Sequence, residues 1–107
     1  MIAREWRCLC PNDTREGFLD HLRATGVSET SGLPGYLGHQ ILERDAQGCV
    51  EITLVTYWQS LDHVFAFVGE DLEVARLYEG DGAFRIEPDT RVRLYRVTEL
   101  SPPPATP

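Results

Sequence analysis

Residues 49–58 read CVEITLVTYW, the clearest strand in the chain, and the division of its two faces decides the fold. Side chains alternate along a strand. Val50, Ile52, Leu54 and Trp58 therefore share one face, and Glu51, Thr53, Val55 and Tyr57 share the other. The first face belongs to a core. The second is semi-apolar, and a sheet face carrying Val and Tyr usually finds a partner. Just upstream, YLGHQILER (36–44) also has strand composition, and DAQG (45–48) reads as a turn. The whole stretch is expected to be an antiparallel hairpin.

The flanks complete the pattern. IAREWRCLC (2–10) reads as a strand. PNDTREGFLDHLRATG (11–26) reads as a helix with Asp13 as cap, Glu16 completing a near capping box, and Gly26 at its end. SETSGLPG (28–35) is expected to be a loop. After the hairpin, Ser60 caps a helix in which Leu61, Val64, Phe65 and Val68 form an apolar stripe. A shorter helix is expected at 71–78, capped by Asp71. EGDG (79–82) and EPD (87–89) are expected to be irregular, and TRVRLYRVTEL (90–100) is a last strand. SPPPATP (101–107) is expected to be a disordered Pro-rich tail. The order β-α-β-β-α-(α)-β predicts one ferredoxin-like α+β domain over 1–100. Its four-stranded antiparallel sheet has helices on one face and leaves the other face open.

Composition narrows the function. The chain of 107 residues has the size of one domain, and its net charge is −7. All ten basic residues are scattered Arg, which argues against a nucleic-acid surface. No run has the length of a membrane span. MIAREWR lacks the apolar segment of a secretory leader, and three Cys suit a reducing compartment, so a cytoplasmic protein is expected. There is no Walker loop, dinucleotide fingerprint, G-x-S-x-G or H-E-x-x-H.

The strand order, the length, the PG (34–35) before the second strand and the W-x-S-L pattern at 58–61 resemble the dimeric α+β barrel superfamily. They are most similar to its antibiotic-biosynthesis-monooxygenase-like branch. The resemblance spans residues 1 to about 99. It implies a homodimer in which two open sheet faces pack into a barrel, with a pocket in each subunit between sheet and helices. It also implies one of several functions: cofactor-independent oxygenation of a polyketide-like phenol, haem degradation, or a non-catalytic small-molecule binding or stress-response role. Fold alone does not choose among these.

In the first strand, Ile2, Arg4, Trp6, Cys8 and Cys10 share the face that the resemblance turns toward the pocket. Cys8 and Cys10 are poorly placed for a disulfide and too few for a metal site, so both are expected to be core, and Cys49, at the start of another strand, is expected to be structural. Haem-degrading relatives carry an Asn, a Trp and a His at positions that align with Trp6, Phe67 and roughly Leu77. Neither Phe nor Leu can ligate iron, so haem degradation is disfavoured and no cofactor is expected. Trp6, Phe67 and Tyr78 would instead line a pocket for a flat aromatic ligand, or fill the same space as core. His21 borders the Phe18/Leu22 stripe and is the candidate base; alternatively it is a satisfied boundary residue. Arg4 is the candidate stabiliser of an enolate or phenolate, or pairs with an acid. His63 lies opposite the apolar stripe and is expected to be solvated. His39 lies on a strand whose face stays open.

Overall fold

The computed structural model describes residues 1–102, so most of the expected tail lies outside the described residues. The expected hairpin forms: β2 (Tyr36–Ala46) runs antiparallel to β3 (Cys49–Trp58). Pairing continues to Ala46 opposite Cys49, so the turn is only Gln47–Gly48, with Gly48 at φ +76°. A positive φ in a two-residue hairpin turn favours glycine. On its other edge β3 pairs antiparallel with β1 (Ile2–Pro11), from Ile2 opposite Trp58 to Pro11 opposite Cys49. The far edge of β1 is covered in two pieces, by β4 (Glu87–Pro88) and β5 (Arg93–Arg96). The sheet thus has five strands where four were expected, in the order β2-β3-β1 with β4 and β5 both beyond β1. The molecule is an α+β, ferredoxin-like protein.

The expected strand 90–100 is shortened because another segment uses its first residues. Ala75 N–H donates to Thr90 O (2.9 Å), and Val92 N–H donates to Glu73 O (2.8 Å). The same pairing explains why the expected helix at 71–78 does not form. Its backbone is spent across the chain, and the Asp71 carboxylate binds Arg91 as well as the Glu73 amide. Residues 69–80 are therefore a strap of turns and irregular chain, with a single bridge from Val74 to Arg91.

The first helix also differs at both ends. After a 3-10 turn at Asn12–Thr14, α1 covers Arg15–Leu22 and passes through a π-turn (Arg23–Val27) into α2 (Ser28–Ser31). Asp13 does not cap it; its carboxylate pairs with Arg85 at 2.7 Å. Gly26 does not end it either, because its φ is not in the left-handed region. The rod continues into residues expected to form a loop. Helix α3 (Leu61–Val68) forms as expected, with the Ser60 hydroxyl accepting from His63 N–H. Its buried face is rotated from the expected stripe. Val64 is buried, Leu61 and Phe65 are exposed, and Phe67 stacks on Trp58 with ring centroids 5.5 Å apart. His63 is not solvated: its ring lies against Gly35, and its Nδ1 is 2.8 Å from Ser60 Oγ. The helix sits over the Trp58 end of the sheet, so positions 60, 63, 64 and 67 face inward.

The core lies between helices and sheet. It joins Trp6, Cys8 and Cys10 of β1, Val50, Ile52 and Leu54 of β3, and Phe18, Leu19 and Leu22 of α1. The opposite sheet face carries Leu9, Leu42 and Tyr95, all exposed, among the Arg7–Glu5 and Arg44–Glu51 pairs. Among the described residues, no helix is long and apolar enough to cross a membrane.

Candidate functional site

Strand alternation sends Arg4 and Trp6 to the helix side of β1, beside Thr56 and Leu54 of β3. Above them the helical rod bends at its π-turn, which brings Thr25, Gly26 and Thr30 over the sheet. Phe67 approaches from α3, and the strap adds Arg76, Tyr78 and, just beyond it, Asp81. Together these residues enclose a cavity of about 30 Å³. That is room for about two waters. The cavity is narrow, and its edge is polar.

Trp6 is 7% exposed. Its indole N–H donates to Asp89 O at 3.0 Å, and its ring lies 6.4 Å from Phe18. It is both core and cavity wall. Arg4 is also only 7% exposed. One guanidinium nitrogen donates to Val74 O at 2.8 Å, and the group stands 5.5 Å from the Phe67 ring centroid. Its Nε has no partner, and among the described residues no carboxylate pairs with it. Burial, the dominant cause, lowers its pKa to about 10; the nearby Tyr78 hydroxyl raises it and Arg76 lowers it further. Removing a cation from water without a counter-charge is costly. This one is held by a backbone carbonyl and a ring face.

The Tyr78 hydroxyl is likewise buried without a hydrogen-bond partner. Burial first, and then the Glu29 carboxylate, push its pKa up, so it stays a neutral phenol. Arg76 pulls the other way. Arg76 is bound to Glu29 at 2.8 Å and lies over both Phe67 and Tyr78. Two residues that line the cavity thus carry an unpartnered N–H donor and an unpartnered hydroxyl.

His21 is not on the cavity wall. Its Nε2 is 2.6 Å from Asp81 Oδ1, and its ring packs against Phe84 at 5.2 Å. The other Asp81 oxygen accepts the Tyr78 amide at 2.8 Å. Asp81, which does line the cavity, therefore stands between His21 and any ligand. Arg4, Trp6, Phe67 and Tyr78 are brought together as lining residues, and His21 stands behind them. Leu77 is exposed and His39 is bonded to the Tyr36 hydroxyl. Cys8 is pushed up to about 12 by burial and then by the neighbouring Cys10, so it is an unreactive core thiol.

Sequence reasoning missed Asp81, Arg76, Thr25 and Gly26 as site residues. Asp81 sits in a turn that composition marks only as irregular, and Arg76 falls in a stretch that resembled a helix. Only the fold brings them to Arg4. Among the described residues, no three His, Cys, Asp or Glu side chains cluster as a metal site would require.

No protein-family model and no curated protein matches the chain. Solved structures do. The chain is similar to a proposed antibiotic biosynthesis monooxygenase from Deinococcus radiodurans, with a TM-score of 0.61 and 13% identity over 98% of this chain and 100% of that one. It is also similar to an Arg-to-Ser variant of MhuD with two manganese protoporphyrin IX molecules bound per active site. There the TM-score is 0.59 and the identity 16%, over 96% of this chain and 100% of that one. Likeness at these identities establishes the fold alone, an α+β ferredoxin-like sheet with helices on one face.

Proposed function

We propose that this chain, with its monooxygenase-like fold, binds a flat, anionic aromatic molecule between sheet and helices and oxygenates it without a cofactor. The observation that carries the reading is the buried Arg4 charge, which has an unpartnered Nε, a ring face beside it and no carboxylate. A phenolate or enolate oxygen would supply the missing counter-charge. Tyr78 would donate a second hydrogen bond, and Trp6 and Phe67 would cover the ring. A ring needs more room than about 30 Å³. The wall that would yield is the strap, which carries Arg76 and Tyr78 and begins and ends at Gly69 and Gly80, both at positive φ.

In the chemistry the fold suggests, the substrate loses a proton and its carbanion passes electrons to dioxygen. One oxygen atom becomes the new carbonyl, and the other leaves as water. The protein would take the proton into the Asp81–His21 pair, hold the anion at Arg4 and exclude water. His21 would act through Asp81. The residues do not suit haem. Among the described residues no His, Cys or Met lines the cavity, and Tyr78, the one lining residue there of a type that can ligate haem iron, has its pKa pushed up by burial first and then by Glu29.

A second reading, a small-molecule binding or stress-response module without catalysis, has one observation in its favour: His21, the candidate base, is not on the cavity wall. On either reading the open sheet face is the surface for a second copy of the chain. The unpaired thiols suit a reducing compartment such as the cytoplasm.

Calorimetry with 1-hydroxy-2-naphthoate and oxygen uptake with 1,8-dihydroxy-9-anthrone test the proposal. Binding that weakens at least tenfold in Arg4→Met, with oxygen uptake above the spontaneous rate, supports the enzyme. The same binding without uptake leaves the binding module. No binding by the wild type refutes both.

A further inference from the structure

Gly26 occupies a position where nothing structural calls for glycine. It lies inside the helical rod, where glycine is unfavourable relative to alanine. Its φ is outside the left-handed region, so the backbone does not require it. Packing does not require it either. A Cβ built there would meet Leu22 at 3.6 Å, Leu54 at 3.7 Å and Tyr78 at 3.8 Å, all ordinary contacts. The Gly26 carbonyl is already satisfied by the Thr30 hydroxyl at 2.9 Å. What the missing side chain does is leave space in the cavity. Gly26 is one of the lining residues, and it faces Leu54 of the sheet on one side and Tyr78 of the strap on the other.

We propose that Gly26 is a specificity-determining residue, a bare stretch of backbone kept open for the far edge of a planar ligand whose anionic end is held at Arg4. The proposal rests on the ligand-binding reading above and adds the size of the ligand. In a cavity of about 30 Å³, a methyl group removes a large share of the free space. The Leu54 side of this gap belongs to the rigid sheet and cannot retreat as the strap can. The ligand class is therefore a fused-ring phenol or enol that carries an anion at one end and no substituent at the other. On this proposal a single-ring relative is expected to bind without reaching Gly26.

The test compares Gly26→Ala with the wild type, using two probes with the same hydroxy-carboxylate head. 1-Hydroxy-2-naphthoate has the second ring and salicylate lacks it. Calorimetry should show naphthoate affinity falling at least tenfold in Gly26→Ala, with salicylate affinity changed less than threefold. Urea denaturation of the same variant should show a midpoint equal to or above that of the wild type. A variant that is clearly destabilised or fails to fold overturns the proposal, because glycine would then be required for packing. A stable variant that keeps its naphthoate affinity, or loses both probes equally, overturns it too and leaves the binding reading intact. If the wild type binds neither probe, the binding reading falls and takes this inference with it.

Discussion

Replacing Arg4 by Met should change stability very little, although Arg4 is 93% buried by its 7% exposure. The side chains are similar in volume, so no large cavity opens. The charge is what changes. The pKa is lowered from 12.5 to about 10 chiefly by burial, so the lowering gauges the desolvation cost of the charged form. At about 1.4 kcal/mol per pH unit this amounts to about 3 kcal/mol. Against it stand the hydrogen bond to Val74 O, worth about 1.5–3 kcal/mol for a charged donor, and the contact with Phe67, worth about 1 kcal/mol. The terms nearly cancel, and urea denaturation should place Arg4→Met within about 1 kcal/mol of the wild type. A buried side chain held in the core for packing would cost about 2–5 kcal/mol when cut away. The sign with pH is also determined. Because the folded pKa is depressed, the penalty is fully present at neutral pH and is relieved as pH rises through about 10. The wild type should therefore gain about 1 kcal/mol on Arg4→Met between pH 9 and 11. A loss above about 2 kcal/mol at pH 7 would show that Arg4 is a structural bracket between β1 and the strap, and would remove the main support for an anion site.

Trp6→Ala should cost about 3–5 kcal/mol by chemical denaturation, because the ring is buried and its N–H is satisfied by Asp89 O; a cost of about 1 kcal/mol would mean that most of the ring borders open space. Gly35→Ala should destabilise by more than about 2 kcal/mol, since a Cβ at φ +81° would lie 2.2 Å from the His63 ring. Adding His63→Ala should recover part of that loss in thermal melts, and no recovery would mean that backbone strain alone is responsible. Light scattering at micromolar concentration should give twice the chain mass, and a clean monomer would exclude the barrel. Hemin titration should give no sharp stoichiometric Soret shift, whereas a tight complex consumed in the presence of reductant would overturn the disfavouring of haem.

The three long strands of the sheet were legible because their signal is local. CVEITLVTYW alternates over ten residues, and the observed strand has those bounds. The same alternation put Arg4, Trp6, Cys8 and Cys10 on one face before any contact was known. Ser60 was legible as a cap because capping is decided within one turn of chain. Where the reading failed, the deciding partner lay far away in sequence. Asp13 had the right spacing for a cap, but Arg85 takes its carboxylate. Residues 71–78 had helical composition, yet the backbones of Thr90 and Val92 claim the amide and carbonyl groups that a helix would use. His63 looked solvated because it lies opposite the apolar stripe, and only the seating of α3 over Trp58 turns it onto Gly35. By itself, then, the sequence determined the order of the three long strands and the two main helices, and the faces of β1 and β3, which follow from local periodicity. The tertiary structure alone decided that Arg4 lacks a counter-charge, that Asp81 intervenes before His21, and that Gly26 borders a cavity. Each of these is a relation between residues on different elements, and no local pattern in the chain records the distance between them.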